Sequence, residues 1–216
     1  MAVAAVTTIA AIALGFIALR HTAEPPSRLL KLSLDLPPGL ELDTSPPAMA
    51  PDASAVVFSA RKDGKVELWL RTLDSLDPRP IRGTDNGIFP FWSPDGKWIG
   101  FFADNKLKKI EVSGGTPVAL APAAETARGG AWTDDGFILY APNSRSPLYR
   151  VPTAGGEPKQ ITKFRDGESS HRFPWVLPDG RHFLYSTTPG TIRRIYWADT
   201  QSDQAQRIID STDGNV

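Results

Sequence analysis

The sequence predicts an all-β protein: a β-propeller of four-stranded blades, preceded by one N-terminal transmembrane helix. Three observations carry this expectation. An Asp recurs in a turn at Asp52, Asp95, Asp135 and Asp179, at spacings of 43, 40 and 44 residues, and a period of that length marks a repeat architecture. Each copy flanks its turn with short stretches rich in aromatic and β-branched residues, which read as strands. Residues 2–19 form an eighteen-residue run without a charge, close to the length that spans a bilayer core.

Composition narrows the function classes. The 216 residues carry 24 Lys+Arg against 24 Asp+Glu, so the formal net charge is zero and bulk electrostatics draw the chain neither to nucleic acid nor to an anionic membrane. The absence of cysteine excludes disulfides, thiolate zinc sites and thiol catalysis without fixing the compartment. Pro (20) and Gly (18) are frequent but follow no short period, and with six Trp, four Tyr and ten Phe they fit strands joined by tight turns.

From the N-terminus, residues 1–21 read as a transmembrane anchor. As a helix the uncharged run is about 27 Å long, just short of a ~30 Å hydrocarbon core. A cleaved signal peptide is the alternative, yet no Lys or Arg precedes the run and no small-x-small cleavage site follows Gly15. A buried core helix fits poorly because the run is apolar all round. Arg20, His21, Arg28 and Lys31 all follow the span, which by the positive-inside tendency opposes export of what comes next. Residues 22–44 read as a Pro-rich linker or lead strand, with one alternating stretch (LKLSLDL, 30–36) of strand character.

Residues 45–216 hold the repeat: MAPDASAVVF, WSPDGKWIGFF, WTDDGFILY and VLPDGRHFLY. Met49, Trp92, Trp132 and Val176 each lie three residues before the Asp. Phe58, Phe101 and Tyr185 lie six after it, and Tyr140 five after it in the shorter third copy. Pro presets the start of such a turn, Asp bonds back to its own backbone, and Gly takes the positive-φ position. Ala53 stands where the other copies have Gly, so the first turn is expected to be the least ideal. Further strands follow at 67–73, 107–112 and 148–152. After the Gly114-Gly115 and Gly155-Gly156 turns come short strands at 117–120 and 158–162. Four short strands in ~42 residues make one propeller blade, and the aromatic residues of the pattern are expected to pack between blades.

These strings resemble the TolB-type propeller repeat, over residues 45 to about 200. More narrowly, PFWSPDGKWIGFFADNKLKKIEVSGG, LYRVPTAGGEP and SSHRFPWVLPDGRHFLY resemble the extracytoplasmic sensor region of bacterial membrane serine/threonine kinases. That resemblance implies a single-pass protein of the cytoplasmic membrane with its propeller outside. The kinase's Gly-rich loop, VAIK-like Lys strand, HRD and DFG motifs do not occur in the chain. Four copies are visible where TolB-like rings are expected to hold more, so the propeller is expected to be incomplete.

The resemblance also makes the strand before each PDG turn the innermost of its blade, lining the central channel. Seven residues before the Asp stand Ser45, Ile88, Arg128 and Arg172, which makes Arg128 and Arg172 equivalent positions on neighbouring blades, with His171 beside one of them. Arg128, His171 and Arg172 are thus the candidate channel-rim ligand-binding residues, for an anion or a peptide; solvated loop charges are the plain alternative. His21, His171 and His182 have no metal-ligand spacing, and no carboxylate array fits calcium. Ser169-Ser170-His171 does not make a nucleophile–base–orienter geometry. No catalytic residue, cofactor or metal is expected. The leading reading is a non-catalytic, membrane-tethered sensor or binding propeller for an unknown protein, peptide or small-molecule ligand, without a nucleic-acid partner. The alternatives are a TolB-like envelope protein-interaction propeller and the regulatory propeller of a prolyl-oligopeptidase-type peptidase. If residues 2–19 are an anchor, full-length protein stays with membranes through extraction at alkaline pH. Recovery of the intact chain wholly in the soluble fraction would refute the anchor.

Overall fold

The computed structural model describes residues 36–188, 193–202 and 204–211. The expected anchor, and the alternating stretch 30–36 apart from Leu36, lie outside the described residues. Among the described residues no helix is long and apolar enough to cross a membrane, and the regular structure is entirely β. The strands form four antiparallel sheets, each built from consecutive hairpins.

The first sheet comprises β1 (Glu41–Leu42), β2 (Ala48–Met49), β3 (Ala55–Lys62), β4 (Lys65–Thr72) and β5 (Arg79–Pro80). β1 and β2 share the inner edge of β3, pairing at Arg61/Ala60 and at Val57/Val56 respectively, so the Pro-rich lead contributes a strand. The second sheet is β6 (Ile88–Trp92), β7 (Trp98–Ala103), β8 (Lys106–Glu111) and β9 (Val118–Pro122). The third is β10 (Gly130–Trp132), β11 (Phe137–Tyr140), β12 (Tyr149–Pro152) and β13 (Lys159–Gln160). The fourth is β14 (His171–Val176), β15 (His182–Thr187), β16 (Arg193–Asp199) and β17 (Ala205–Ser211). Met49, Trp92, Trp132 and Val176 each close the inner strand of their sheet, as the repeat predicts.

Each core lies between two successive sheets. Val57, Leu68, Leu70 and Ile81 of the first sheet meet Ile99, Phe101 and Ile110 of the second. Phe91, Phe102, Leu107 and Leu120 meet Ile138, Tyr140 and Val151 of the third. Leu139, Ala141 and Leu148 meet Phe183, Tyr185 and Tyr196 of the fourth. In the last three sheets the aromatic residue after the turn (Phe101, Tyr140, Tyr185) points at the preceding sheet, because side chains alternate along a strand. Its neighbour one residue later belongs to the other face. At that position the cross-strand pairs Ser59–Leu68 and Phe102–Leu107 are buried against the next sheet. The matching pair of the fourth sheet, Ser186–Ile195, is only half-buried, as are the adjacent Leu184 and Trp197.

The turns follow the expected chemistry. Asp52 accepts from Ser54 N–H (3.0 Å) and the Ser54 hydroxyl, Asp95 from the Ser93 hydroxyl and Lys97 N–H (3.1 Å), and Asp179 from Arg181 and His182 N–H (3.0 and 2.9 Å). The His182 backbone and ring bonds hold the Asp179 carboxyl down to about 2. The residue after each Asp is left-handed: φ is 57° at Ala53, 68° at Gly96, 84° at Gly136 and 68° at Gly180. Ala53 therefore bears the strain that the sequence implies. A second close approach is at Gly100, where a Cβ would overlap the Phe91 ring, and at Gly130 on the next sheet, where it would lie 2.6 Å from the same ring. Ala53→Gly should raise stability by up to about 1 kcal/mol, the relief of a left-handed Ala less the entropy that Gly adds to the unfolded chain. Gly100→Ala should lower it by about 1–3 kcal/mol through overpacking. Urea unfolding of the two variants checks both signs.

Candidate functional site

The inner strands β2, β6, β10 and β14 neighbour one another in order, and one irregularity recurs along them. Six residues before the turn Asp, Phe89, Gly129 and Phe173 all have positive φ (49°, 83° and 51°). The register of β6 slips between Ile88 and Phe91, and that of β14 between Arg172 and Trp175. These are β-bulges, which re-aim side chains and local backbone groups. The bulge in β14 turns Phe173 N–H towards the third sheet, where it donates to the Arg128 carbonyl at 2.9 Å. The Phe89 and Phe173 rings meet at 5.9 Å, and a Cβ at Gly129 would sit 3.0 Å from the Phe173 ring. Gly is thus required there twice over, by φ and by space. Phe173 is 44% and Trp175 69% exposed, whereas Phe91, at the place in β6 that Trp175 holds in β14, is 7% exposed because it packs on Gly130 and Trp132 of the third sheet.

Arg128 and Arg172 stand where the repeat places them. Arg128 Nη1 donates to the Thr126 and Ala127 carbonyls at 3.2 and 2.9 Å. Arg172 Nε donates to the Ser170 hydroxyl at 2.6 Å and Nη2 to the Ser144 carbonyl at 3.3 Å. Burial, then the Arg128 and Arg193 guanidiniums, hold Arg172 below the usual arginine range. Arg172 and Arg193 line a cleft of about 280 Å³ together with Phe173, Leu184, Ser186 and Ile195, formed by β14, β15 and β16.

His171 departs from the expectation. It is fully buried, not on the rim, because its side chain falls on the face of β14 that packs inward while that of Arg172, one residue on, does not. Its Nδ1 meets the Thr162 hydroxyl at 2.7 Å and its Nε2 meets Glu168 Oε2 at 3.1 Å, with Phe164 edge-on at 5.0 Å and Tyr185 at 4.8 Å. Glu168 also accepts Arg165 N–H at 2.8 Å, and the Arg165 guanidinium lies 4.3 Å from the Tyr196 ring centre. Thr162, His171 and Glu168 have the connectivity of a nucleophile, base and orienter, but the first sheet argues for a structural role. Thr84 there accepts Leu68 N–H at 2.9 Å, as Thr162 accepts Leu148 N–H at 2.8 Å, and no histidine is involved. Each Thr extends a strand edge, and the Glu168–His171 pair ties the link between the third and fourth sheets to that Thr. Sequence reasoning missed this network, because Thr84 lies four residues after β5 and Thr162 two after β13, so no shared spacing marks them. Ser170 is buried and accepts from Arg172. Among the described residues no cluster of His, Asp and Glu suits a metal ion.

No protein-family profile matches the chain. An uncharacterized protein of Agrobacterium fabrum is 29% identical over 132 residues, which is 55% of this chain and 42% of that relative; the chain thus spans under half of the relative's length. Among solved structures, the putative TolB from Agrobacterium tumefaciens superposes with a TM-score of 0.65 at 16% identity, over 79% of this chain and 68% of that one. TolB from Acinetobacter baumannii gives 0.60 at 20% identity, over 74% and 42%. An enzyme, prolyl oligopeptidase B from Galerina marginata, gives 0.55 at 11% identity, over 77% and 27%. At these identities the likeness shows the fold alone: four antiparallel sheets consistent with the blades of a β-propeller.

The buried pair makes stability depend on pH. Burial, partly offset by Glu168, lowers the His171 pKa. The Glu168 carboxyl is raised by its own burial, but the Arg165 N–H and His171 outweigh this and hold it below the usual carboxylate range. An unfolded His binds a proton below about 6.5 while the folded ring resists it, so stability falls as pH drops from about 6.5 through the folded value. The Glu168 contribution is intact above the ordinary carboxylate pKa and is lost at still lower pH. Urea midpoints between pH 7.5 and 5 should therefore fall on acidification, and His171→Gln should flatten that limb. An unchanged slope in the variant would exclude His171 as its source.

Proposed function

We propose that this chain is a protein-binding propeller whose recognition surface is the bulged inner edge of the third and fourth sheets. The observation that carries the reading is the exposure of Phe173 and Trp175 beside Arg128 and Arg172. Aromatic residues and Arg are the types enriched at the centres of protein interfaces. Exposed together along β14, they mark a contact surface. The TolB-like fold of its structural neighbours favours a role as an envelope protein-interaction propeller over the kinase-sensor reading, which rests on motif resemblance alone. Tethering through residues 2–19, with the propeller outside the cytoplasmic membrane, and a non-catalytic role belong to the same proposal.

A photo-crosslinking residue in place of Trp175 should form a discrete protein adduct in the living host. The same residue in place of Val118, exposed on the outer strand β9, should not. Equal adducts at both positions, or none at 175, would refute recognition through the inner edge.

A further inference from the structure

We propose that Asn86 is a self-modification site: the backbone nitrogen of the next residue converts its side chain, and the product loosens the junction between the first and second sheets. Thr84, Asp85, Asn86 and Gly87 form the turn that leads from β5 into β6. Asn86 is exposed and left-handed, with a φ of 57°, a conformation that Asn tolerates. Because Gly87 follows, no side chain shields the Asn86 Cγ from the Gly87 nitrogen. Attack of that nitrogen forms an N–Cγ bond and breaks the Cγ–Nδ2 bond, with ammonia as the leaving group. Water then opens the cyclic imide at either carbonyl. One opening gives aspartate, the other isoaspartate, in which the main chain runs through Cγ. Asn105 and Asn143 are followed by Lys106 and Ser144, whose side chains crowd the attacking nitrogen.

The fold gates the reaction. Gly87 N–H donates to the Thr84 carbonyl at 2.9 Å, so the nitrogen is engaged until the turn opens. Local opening of that kind occurs far more often than global unfolding. The same fold makes the product disruptive. Asn86 N–H donates to the Val66 carbonyl at 2.8 Å, and the Ser59 hydroxyl donates to the Gly87 carbonyl at 2.7 Å. A Cβ at Gly87 would lie 2.7 Å from the Thr84 carbonyl oxygen and 2.9 Å from Leu68 Cγ, so the chain has no slack there. An isoaspartyl link adds a carbon to the main chain between the two anchors and displaces one of them. Towards the second sheet, Asn86 shares a cleft with Asp104. Lys108 first, and then the Asn86 amide, hold the Asp104 carboxyl below the usual carboxylate range. Either product replaces that amide with a carboxylate that repels Asp104.

The test keeps the full-length chain folded at mildly alkaline pH, samples it over days and weighs its tryptic peptides. Asn86, Asn105 and Asn143 fall in separate peptides, 83–97, 98–106 and 129–145, and none of the three contains glutamine. The mass gain of deamidation should build up several-fold faster in 83–97 than in the other two. It should accelerate further in urea, where the bond to Thr84 is lost. The aged protein should unfold at lower urea than fresh protein, and Asn86→Asp should show part of that loss, reduced by salt. Asn86→Gly suits the left-handed backbone and cannot form the imide, so after ageing it should keep both its peptide mass and its urea midpoint. A mass gain no faster in 83–97 than in 98–106 or 129–145 would overturn the assignment of Asn86. Equal rates in folded and unfolded protein would overturn the gating by the turn. An aged protein that keeps the midpoint of fresh protein, or an Asn86→Gly variant that loses as much on ageing, would overturn the loosening of the junction.

Discussion

A four-stranded sheet with two apolar faces is not stable alone, and the whole structure follows from that constraint. Every core in the described chain is shared between successive sheets; none lies within one. Stability in such an array is close to a sum of nearest-neighbour interfaces. Side chains must therefore alternate strictly: the aromatic residue after the turn serves the preceding interface, and its neighbour serves the next. This alternation explains why Phe101 and Phe102, adjacent in sequence, belong to different cores.

The same alternation separates His171 from Arg172. One residue apart on β14, they fall on opposite faces. The first completes a buried tether, and the second lies near Arg128 and Arg193. The tether depends on Glu168 being deprotonated and His171 being neutral, so the packing of the fourth sheet onto the third is linked to pH. The bulge at Phe173, with its left-handed backbone, places an amide on the Arg128 carbonyl. Backbone strain of that kind, repeated at Phe89, accompanies positions where side chains are re-aimed for contact.

The repeat was legible in the sequence because its causes are local. The PDG turns, the left-handed Ala53 and the residue closing each inner strand all follow from turn chemistry and from a period of two. The equivalence of Arg128 and Arg172 was legible for the same reason. The burial of His171 was not, because it depends on Thr162 and Glu168 arriving from a loop with no period of its own. The cleft was hidden too. Its walls come from β14, β15 and β16 together, and Arg193 joins Arg172 only through the pairing of those strands.

The account rests on Trp175 being open to solvent at the inner edge of the fourth sheet. Hydroxyl-radical footprinting of the full chain, read tryptophan by tryptophan in mass spectra, measures this directly. Trp175 should oxidise several-fold faster than Trp92 and Trp132, and faster still than Trp69, which is 7% exposed. Protection of Trp175 to the level of Trp69 in the isolated protein would mean that this edge is already covered, and the recognition surface would have to be sought elsewhere on the propeller.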